Sequence, residues 1–373
     1  MKRLILPIII TLPLIILLPN CSEETTVEQK PTTSEPPNMT LFDKVVFYDG
    51  YAERVTEIHH SGIKRLSNSS YITKLTKSEI EAIGDSLEME IIIEAACDNY
   101  DRIGKVFLSL IEKGYPYHKD IVVSQIEIAR FITPFMDKNK YPNEVPYYFD
   151  ISNIAKYLRD TDISNEYDFW IEFSVFGVPY AAQKQVAGCA GRNDVFLGTL
   201  KFNSLGKYSK IISQQIIPVA TFANLNNSNN SDIPGQTVRT FNVDVPSPIT
   251  NVKMYVITSN HGANTGGEEY NRRIHNIYFD DKLIATYKPG GKSCEPFRQY
   301  NTQGNGIYGP EPRSESGWTS WNNWCPGDKI PVRIYRLENL AVGTHNFRIE
   351  VPDAIFVNGE GNIPVSVYIQ GDL

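Results

Sequence analysis

The chain has 373 residues, more than one typical domain of ~150 residues would use. With 41% apolar residues it has material for a sizeable core. A net charge of −7 without a basic stripe excludes the electrostatic footprint that nucleic acid requires.

Residues 1–20 read as a targeting segment. Lys2 and Arg3 precede an apolar run, Leu4 to Leu18, broken by Pro7 and Pro13. Such a run falls short of the ~20 apolar residues of a membrane span and reads as an export signal. Cys21 follows it in the manner of a bacterial lipobox cysteine, although Pro19 and Asn20 stand where small residues are usual. Acylation of Cys21 would tether an exported body to a membrane, on the periplasmic face or the cell surface. The plainer reading is a secretory signal with an incidental cysteine. Residues 21–40 are rich in Glu, Thr, Pro and Ser and lack an apolar period, the composition of a disordered tether. Four further cysteines, Cys97, Cys189, Cys294 and Cys325, suggest two disulfides in an oxidising compartment. Sequence alone leaves three connectivities open. Pairing within each half gives Cys97–Cys189 and Cys294–Cys325.

Order is expected from Phe42 onward. Tyr71 to Leu75 is a strand candidate and Lys77 to Ile83 a short helix. The neighbouring His59 and His60 would point to opposite faces of a strand, which argues against a metal site. From Glu88 the strand signals are dense: Met89–Ala95, Val106–Ile111, Ser124–Ile132, Pro146–Ile151, Tyr167–Phe176 and Asp194–Phe202, bounded by turn residues. Ser152 to Leu158 reads as a short helix with Ser152 or Asn153 as its N-cap. A polar stretch from Gly206 to Asp232 marks a composition shift, so the expected domains are 41–205 and 206–373. The second series of strands is Gln236–Val245, Asn251–Thr258, Ile274–Phe279, Lys282–Tyr287, Lys329–Leu337, Thr344–Val351 and Ile363–Ile369. Many strands with little helix between them predict an all-β chain of two adjacent antiparallel jelly-roll sandwiches. The cleft between them is the natural place for a ligand site.

Three carboxylates stand out. Asp101, in Asn99-Tyr-Asp-Arg102, sits between two strands, where scaffolds place chemistry. Glu172 is embedded in the aromatic strand Phe169-Trp-Ile-Glu-Phe173 and shares a face with Trp170. An acid there must reach solvent in a cleft or find a partner. Glu269 lies in the Gly-rich stretch His261 to Tyr270, followed by Arg272, Arg273 and His275. Each also has a plain reading: a surface ion pair, a solvated sheet face, a turn.

Five ordered segments resemble one family. They are Phe42-Asp-Lys-Val45, Cys97 to Arg102, Arg130-Phe-Ile-Thr-Pro-Phe135, Gly266-Gly-Glu-Glu-Tyr270 with Arg273 and His275, and Trp324-Cys-Pro-Gly327 with Pro331 and Arg333. In this order the chain resembles the peptide-N-glycosidase F family, bacterial amidases that remove N-linked glycans from asparagine. The resemblance implies a pair of eight-stranded jelly rolls, with Asp101 as the primary catalytic carboxylate and Arg102 its neighbour. It further implies Glu172 and Glu269 as the acids contributed by the first and second domains, and a Cys294–Cys325 disulfide. The scissile bond would be the amide between an asparagine side chain and N-acetylglucosamine. Its hydrolysis needs a positioned water, a base and donors to the oxyanion, but no cofactor and no metal. Tyr100, Trp170, Trp318 and Trp321 offer platforms for sugar faces, and Arg102 and Arg273 offer polar contacts. The departures are Tyr100 where the family has Trp, Phe173-Ser174 where an aromatic follows the glutamate, and Trp321 where an arginine is usual, unless Arg313 substitutes for it. They leave room for a non-catalytic surface lipoprotein that binds glycans or host proteins. A copper monooxygenase on such a fold is the weakest reading, since only six histidines are present. The expected partners are N-glycosylated proteins or glycopeptides and a membrane reached through the lipid anchor, with the protein acting as a monomer.

Overall fold

The computed structural model describes residues 38–56, 62–206, 212–226, 237–262, 267–304, 307–320, 322–356 and 361–373. Cys21, the His59-His60 pair and Trp321 lie outside the described residues. The first half contributes β1 (Asn38–Tyr48), β2 (Ile63–Ser67), β3 (Ser70–Lys74), β4 (Ser86–Ala95), β5 (Ile103–Glu112), β6 (Ser124–Ile132), β7 (Glu144–Asp150), β8 (Tyr167–Val175) and β9 (Asp194–Leu205). They pair antiparallel into two sheets, β1-β9-β4-β7 and β2-β3-β8-β5-β6. The second half contributes β10 (Gln214–Leu225), β11 (Val238–Val245), β12 (Thr250–Thr258), β13 (His275–Phe279), β14 (Lys282–Tyr287), β15 (Arg333–Arg336), β16 (Gly343–Glu350) and β17 (Ile363–Asp372). Its sheets are β10-β17-β12-β15 and β11-β16-β13-β14, again antiparallel.

The all-β expectation holds, with differences in detail. The described first half has nine strands rather than eight, because the short β2 adds an edge beside β3. Strand structure begins at Asn38, inside the stretch read as tether up to residue 40. Among the described residues, five short helices fill connections: α1 (Lys77–Ala82), α2 (Ser152–Leu158), α3 (Thr161–Glu166), α4 (Ala182–Gln185) and α5 (Glu315–Thr319). The α2 range is the expected one, but its N-cap is Ile151, not Ser152 or Asn153. The Ser152 hydroxyl instead donates to Asp150 Oδ1 at 2.6 Å.

Alternation explains the first core. Along β4, Leu87, Met89, Ile91, Ile93 and Ala95 are buried, while Glu88, Glu90 and Glu94 lie on the other face. Glu90 and Glu94 are answered there by Lys201 and Lys44. Each large apolar side chain so buried contributes about 1.5–3 kcal/mol. Within the same core, Phe47 and Phe173 pack edge to face, 5.2 Å apart between centroids. That packing requires Gly198, where a Cβ would fall 2.6 Å from Phe173 and 2.7 Å from Phe47.

The two halves are joined by hydrogen bonds across the edge of β6. Ile132 N donates to Asp328 O at 3.0 Å, Gly327 N to Ile132 O at 3.0 Å and Ile330 N to Arg130 O at 2.8 Å. The Thr221 hydroxyl on β10 donates to Gln125 O on β6 at 2.8 Å. Beneath this seam lies an ion pair, Arg130–Glu127, with both side chains fully buried. Arg130 Nη1 reaches into the second half, to Ser259 Oγ at 2.9 Å and Pro364 O at 2.8 Å.

Candidate active site

The β4–β5 connection carries Asp98, Asn99, Tyr100, Asp101 and Arg102. Its shape is fixed at both ends. At the β4 end, Cys97 is bonded to Cys189, with the sulfur pair buried against Ala182 and Val186. At the β5 end, Thr133 acts as a clamp. Its N–H donates to Arg102 O at 2.8 Å, and its hydroxyl accepts from Arg102 N at 2.8 Å and donates to Tyr100 O at 3.1 Å. Asp101 is therefore held between two residues that Thr133 grips.

Asp98, not among the candidate residues of the sequence, organises the loop from within. It is almost fully buried and accepts from Arg102 Nε at 2.6 Å, Arg102 Nη2 at 3.3 Å, Tyr100 N at 3.0 Å and Val178 N at 2.7 Å. Burial pushes its carboxyl upward, while Arg102 and the two backbone donors oppose that push. Gly177 permits the Val178 contact, since a Cβ there would lie 2.8 Å from Val195 and 3.1 Å from Asp98 Oδ2. The resemblance places Arg102 beside Asp101 as its neighbour. Its guanidinium pairs with Asp98 and also faces Tyr180, and it acts on Asp101 through space, where its charge favours the ionised form. The signal for Asp98 was in the sequence, as an acid four residues before an arginine in a cysteine-anchored loop.

Glu269 arrives from the second half along the same seam. Past the Gly327–Ile132 hydrogen bond, Asn323 donates to Glu269 O and to Asn260 O. Glu269 Oε2 accepts from Gly262 N at 3.3 Å. Asp101 and Glu269 thus line one cavity of about 460 Å³ together with Asn99, Tyr100, Arg102 and Tyr270. Tyr180 and Gln185, from the segment around α4, and Gln303 and Ile307, from the second half, complete much of the wall. The Tyr270 hydroxyl points between the two carboxylates, 3.5 Å from Asp101 Oδ2. Asp101 is half-buried with its carboxyl crowded by protein. That burial, then the charge of Glu269, pushes it well above the usual carboxylate range against the pull of Arg102.

The other expected site residues lie elsewhere or are otherwise engaged. Glu172 sits on the outer face of β8, opposite Phe107 and Ile72, and accepts from Ser70 Oγ at 2.6 Å. Phe107 is six positions beyond Asp101, which at ~3.3 Å per strand residue carries Glu172 well away from the cavity. Glu172 is not among the residues lining it. Trp170, on the same face, is buried beside Tyr117. Arg273 donates to the fully buried Glu268, so the Gly-rich stretch supplies a structural ion pair as well as Glu269. His261 is neutral, lowered to about 3 by burial and then by Arg130. Trp318 is a core residue whose indole N–H donates to Glu295 at 2.8 Å. Cys294 and Cys325 are bonded. Among the described residues, no group of three or more His, Cys, Asp or Glu converges as metal ligands, and no helix is long and apolar enough to cross a membrane.

Two family profiles match in sequence order. The N-terminal domain of peptide-N-glycosidase F matches residues 38–190 and its C-terminal domain matches residues 229–370. The chain belongs to the peptide-N-glycosidase F family. Its fold is similar to the solved structure of PNGF-II at 18% identity and a TM-score of 0.64, covering 90% of this chain and 65% of that chain. This chain thus spans 65% of the length of PNGF-II. PNGase F from Flavobacterium meningosepticum, described as a glycosylasparaginase, is similar at 17% identity and a TM-score of 0.59, covering 90% of this chain and 95% of that one. At these identities the likeness speaks of fold alone. No curated protein sequence matches the chain. The two disulfides are those of an exported protein.

Proposed function

We propose that this protein hydrolyses the amide bond between asparagine and N-acetylglucosamine, releasing N-linked glycans from glycoproteins or glycopeptides. The observation that carries this reading is the meeting of Asp101 and Glu269, one from each sandwich, in a single cavity. A carboxyl whose affinity for protons is raised makes a stronger base once ionised. Asp101 takes a proton from water as its oxygen attacks the amide carbon. Arg102, oriented by Asp98, faces the charge that develops on the carbonyl oxygen. Collapse breaks the C–N bond, and the proton passes to the leaving nitrogen. The products are an aspartate side chain and a glycosylamine. Tyr100 and Tyr180, which approach within 6.4 Å of each other at the cavity wall, supply aromatic surface for a sugar face. Glu172 and Arg273 are given no step, because each is committed to a partner outside the cavity.

Digestion of high-mannose and complex glycopeptides in ¹⁸O-water tests the proposal. The expected result is free glycan together with asparagine converted to ¹⁸O-labelled aspartate. Glycopeptides bound but never cleaved would establish the non-catalytic glycan-binding reading in its place. The proposal includes a lipid anchor on Cys21, on the strength of the lipobox-like sequence. Wild-type protein is expected in the membrane fraction and Cys21→Ser in the soluble one, and an unchanged distribution would remove the anchor.

A further inference from the structure

Among the described residues that line the cavity, Tyr270 faces both acids. Its hydroxyl donates to Asp101 Oδ2 at 3.5 Å and also interacts with the carboxylate of the adjacent Glu269. The ring is held on the other side by Trp324, 5.7 Å away between centroids. Trp324 in turn is fixed by its indole N–H, which donates to Asn260 O at 2.8 Å. The hydroxyl therefore cannot swing away from the carboxylates without moving the Trp324 contact.

Two acids that share a cavity repel when both are ionised, and a fixed O–H donor between them favours the charged form of whichever it contacts. We propose that Tyr270 is a positioning residue: its hydroxyl bridges Asp101 and Glu269, holds them at a working separation, and sets the pH at which the site turns on. Tyr270 itself does not titrate in this role. Its phenol is driven far above its ordinary range by burial first, then by Asp101 and Glu269, so it remains a donor throughout. The other charged or titratable groups facing Asp101 are Asp98 and Arg102 from its own loop and Tyr308 from the segment before α5. Tyr180 faces Arg102 rather than Asp101. None of these joins Asp101 to Glu269, so removing the Tyr270 hydroxyl has a distinct signature.

This inference rests on the proposed amidase reading for its kinetic readout but not for its titration readout. Tyr270→Phe keeps the ring against Trp324 and deletes only the oxygen. In the full chain, the acidic limb of the pH–rate profile for glycopeptide cleavage is expected to move upward by about one unit, the worth of one hydrogen bond to a charged group. Infrared titration of protein carrying ¹³C-labelled aspartate, with Asp101→Asn identifying the band, is expected to show the Asp101 carboxyl moving in the same direction. A folded Tyr270→Phe variant in which the Asp101 band titrates as in wild type overturns the proposal. If no glycopeptide is cleaved by the wild type, the amidase reading fails, and the infrared shift alone decides the role of Tyr270.

Discussion

Replacing Asp101 by asparagine is expected to slow glycan release by about 10²–10⁴-fold, the usual worth of a positioned general base, while making the protein more resistant to unfolding. Both effects come from one placement. Burial and the neighbouring Glu269 raise the Asp101 carboxyl well above the usual range, and Arg102 only partly offsets them. In the unfolded chain the same group titrates near ~3.9. Between that value and the raised folded value, the folded chain holds a proton that the unfolded chain has released, so stability falls as pH rises across the window. Asparagine does not titrate and removes the repulsion from Glu269. The advantage of Asp101→Asn should therefore be absent below about pH 4, grow through the window, and remain constant above it. Thermal unfolding of both proteins across pH measures the stability, and glycopeptide digestion measures the rate. A variant that cleaves at the wild-type rate, or is less stable than wild type at neutral pH, would show that Asp101 is an ordinary structural acid.

Much of this arrangement was legible in local sequence. Ser124–Ile132 and Lys282–Tyr287 were read with the bounds the structure gives them, because their apolar and turn residues are local signals. Asp101 was legible as an acid in a crowded strand connection, and the ordered motifs linked it to Glu269. What stayed hidden depends on pairing across long separations. Alternation put Glu172 and Trp170 on one face, and they share one, but no local signal says which face of β8 looks toward the cleft. Arg102 was assigned to Asp101 as its nearest neighbour in sequence, whereas the fold turns its guanidinium back onto Asp98. Thr133 sat inside a recognised motif, yet its clamp on the Asp101 loop appears only when β5 and β6 pair. The hydroxyl of Tyr270 has meaning only once the two halves meet.

The seam that brings them together predicts the largest loss of stability. Arg130→Ala should cost about 3–5 kcal/mol, the usual penalty for leaving a buried charge without its partner. Arg130 donates to Glu127 from Nε and Nη2, each at 2.7 Å, and neither side chain reaches solvent. Glu127 also accepts from Ser366 Oγ, so the ion pair ties β6 to β17 as well as to Ser259 and Pro364. Removing the guanidinium leaves a carboxylate and a carbonyl oxygen buried with fewer donors. Lysine is expected to restore little, because a single ammonium cannot match the forked geometry. Replacing both partners, Glu127→Leu with Arg130→Met, should recover part of the loss, since no charge is then stranded. Urea unfolding of the two single variants and the double variant measures this directly; a single variant as stable as wild type would mean that the pair is not what holds the seam. The consequence for function follows from the backbone. Arg130 O accepts from Ile330 N, and Ile132 exchanges hydrogen bonds with Gly327 and Asp328. A loosened pair lets this edge slip and draws Asp101 away from Glu269. Activity should then fall together with stability in Arg130→Ala, whereas in Asp101→Asn activity falls while stability rises. Those opposite signs separate the residue that performs the proposed chemistry from the residues that bring its partner within reach.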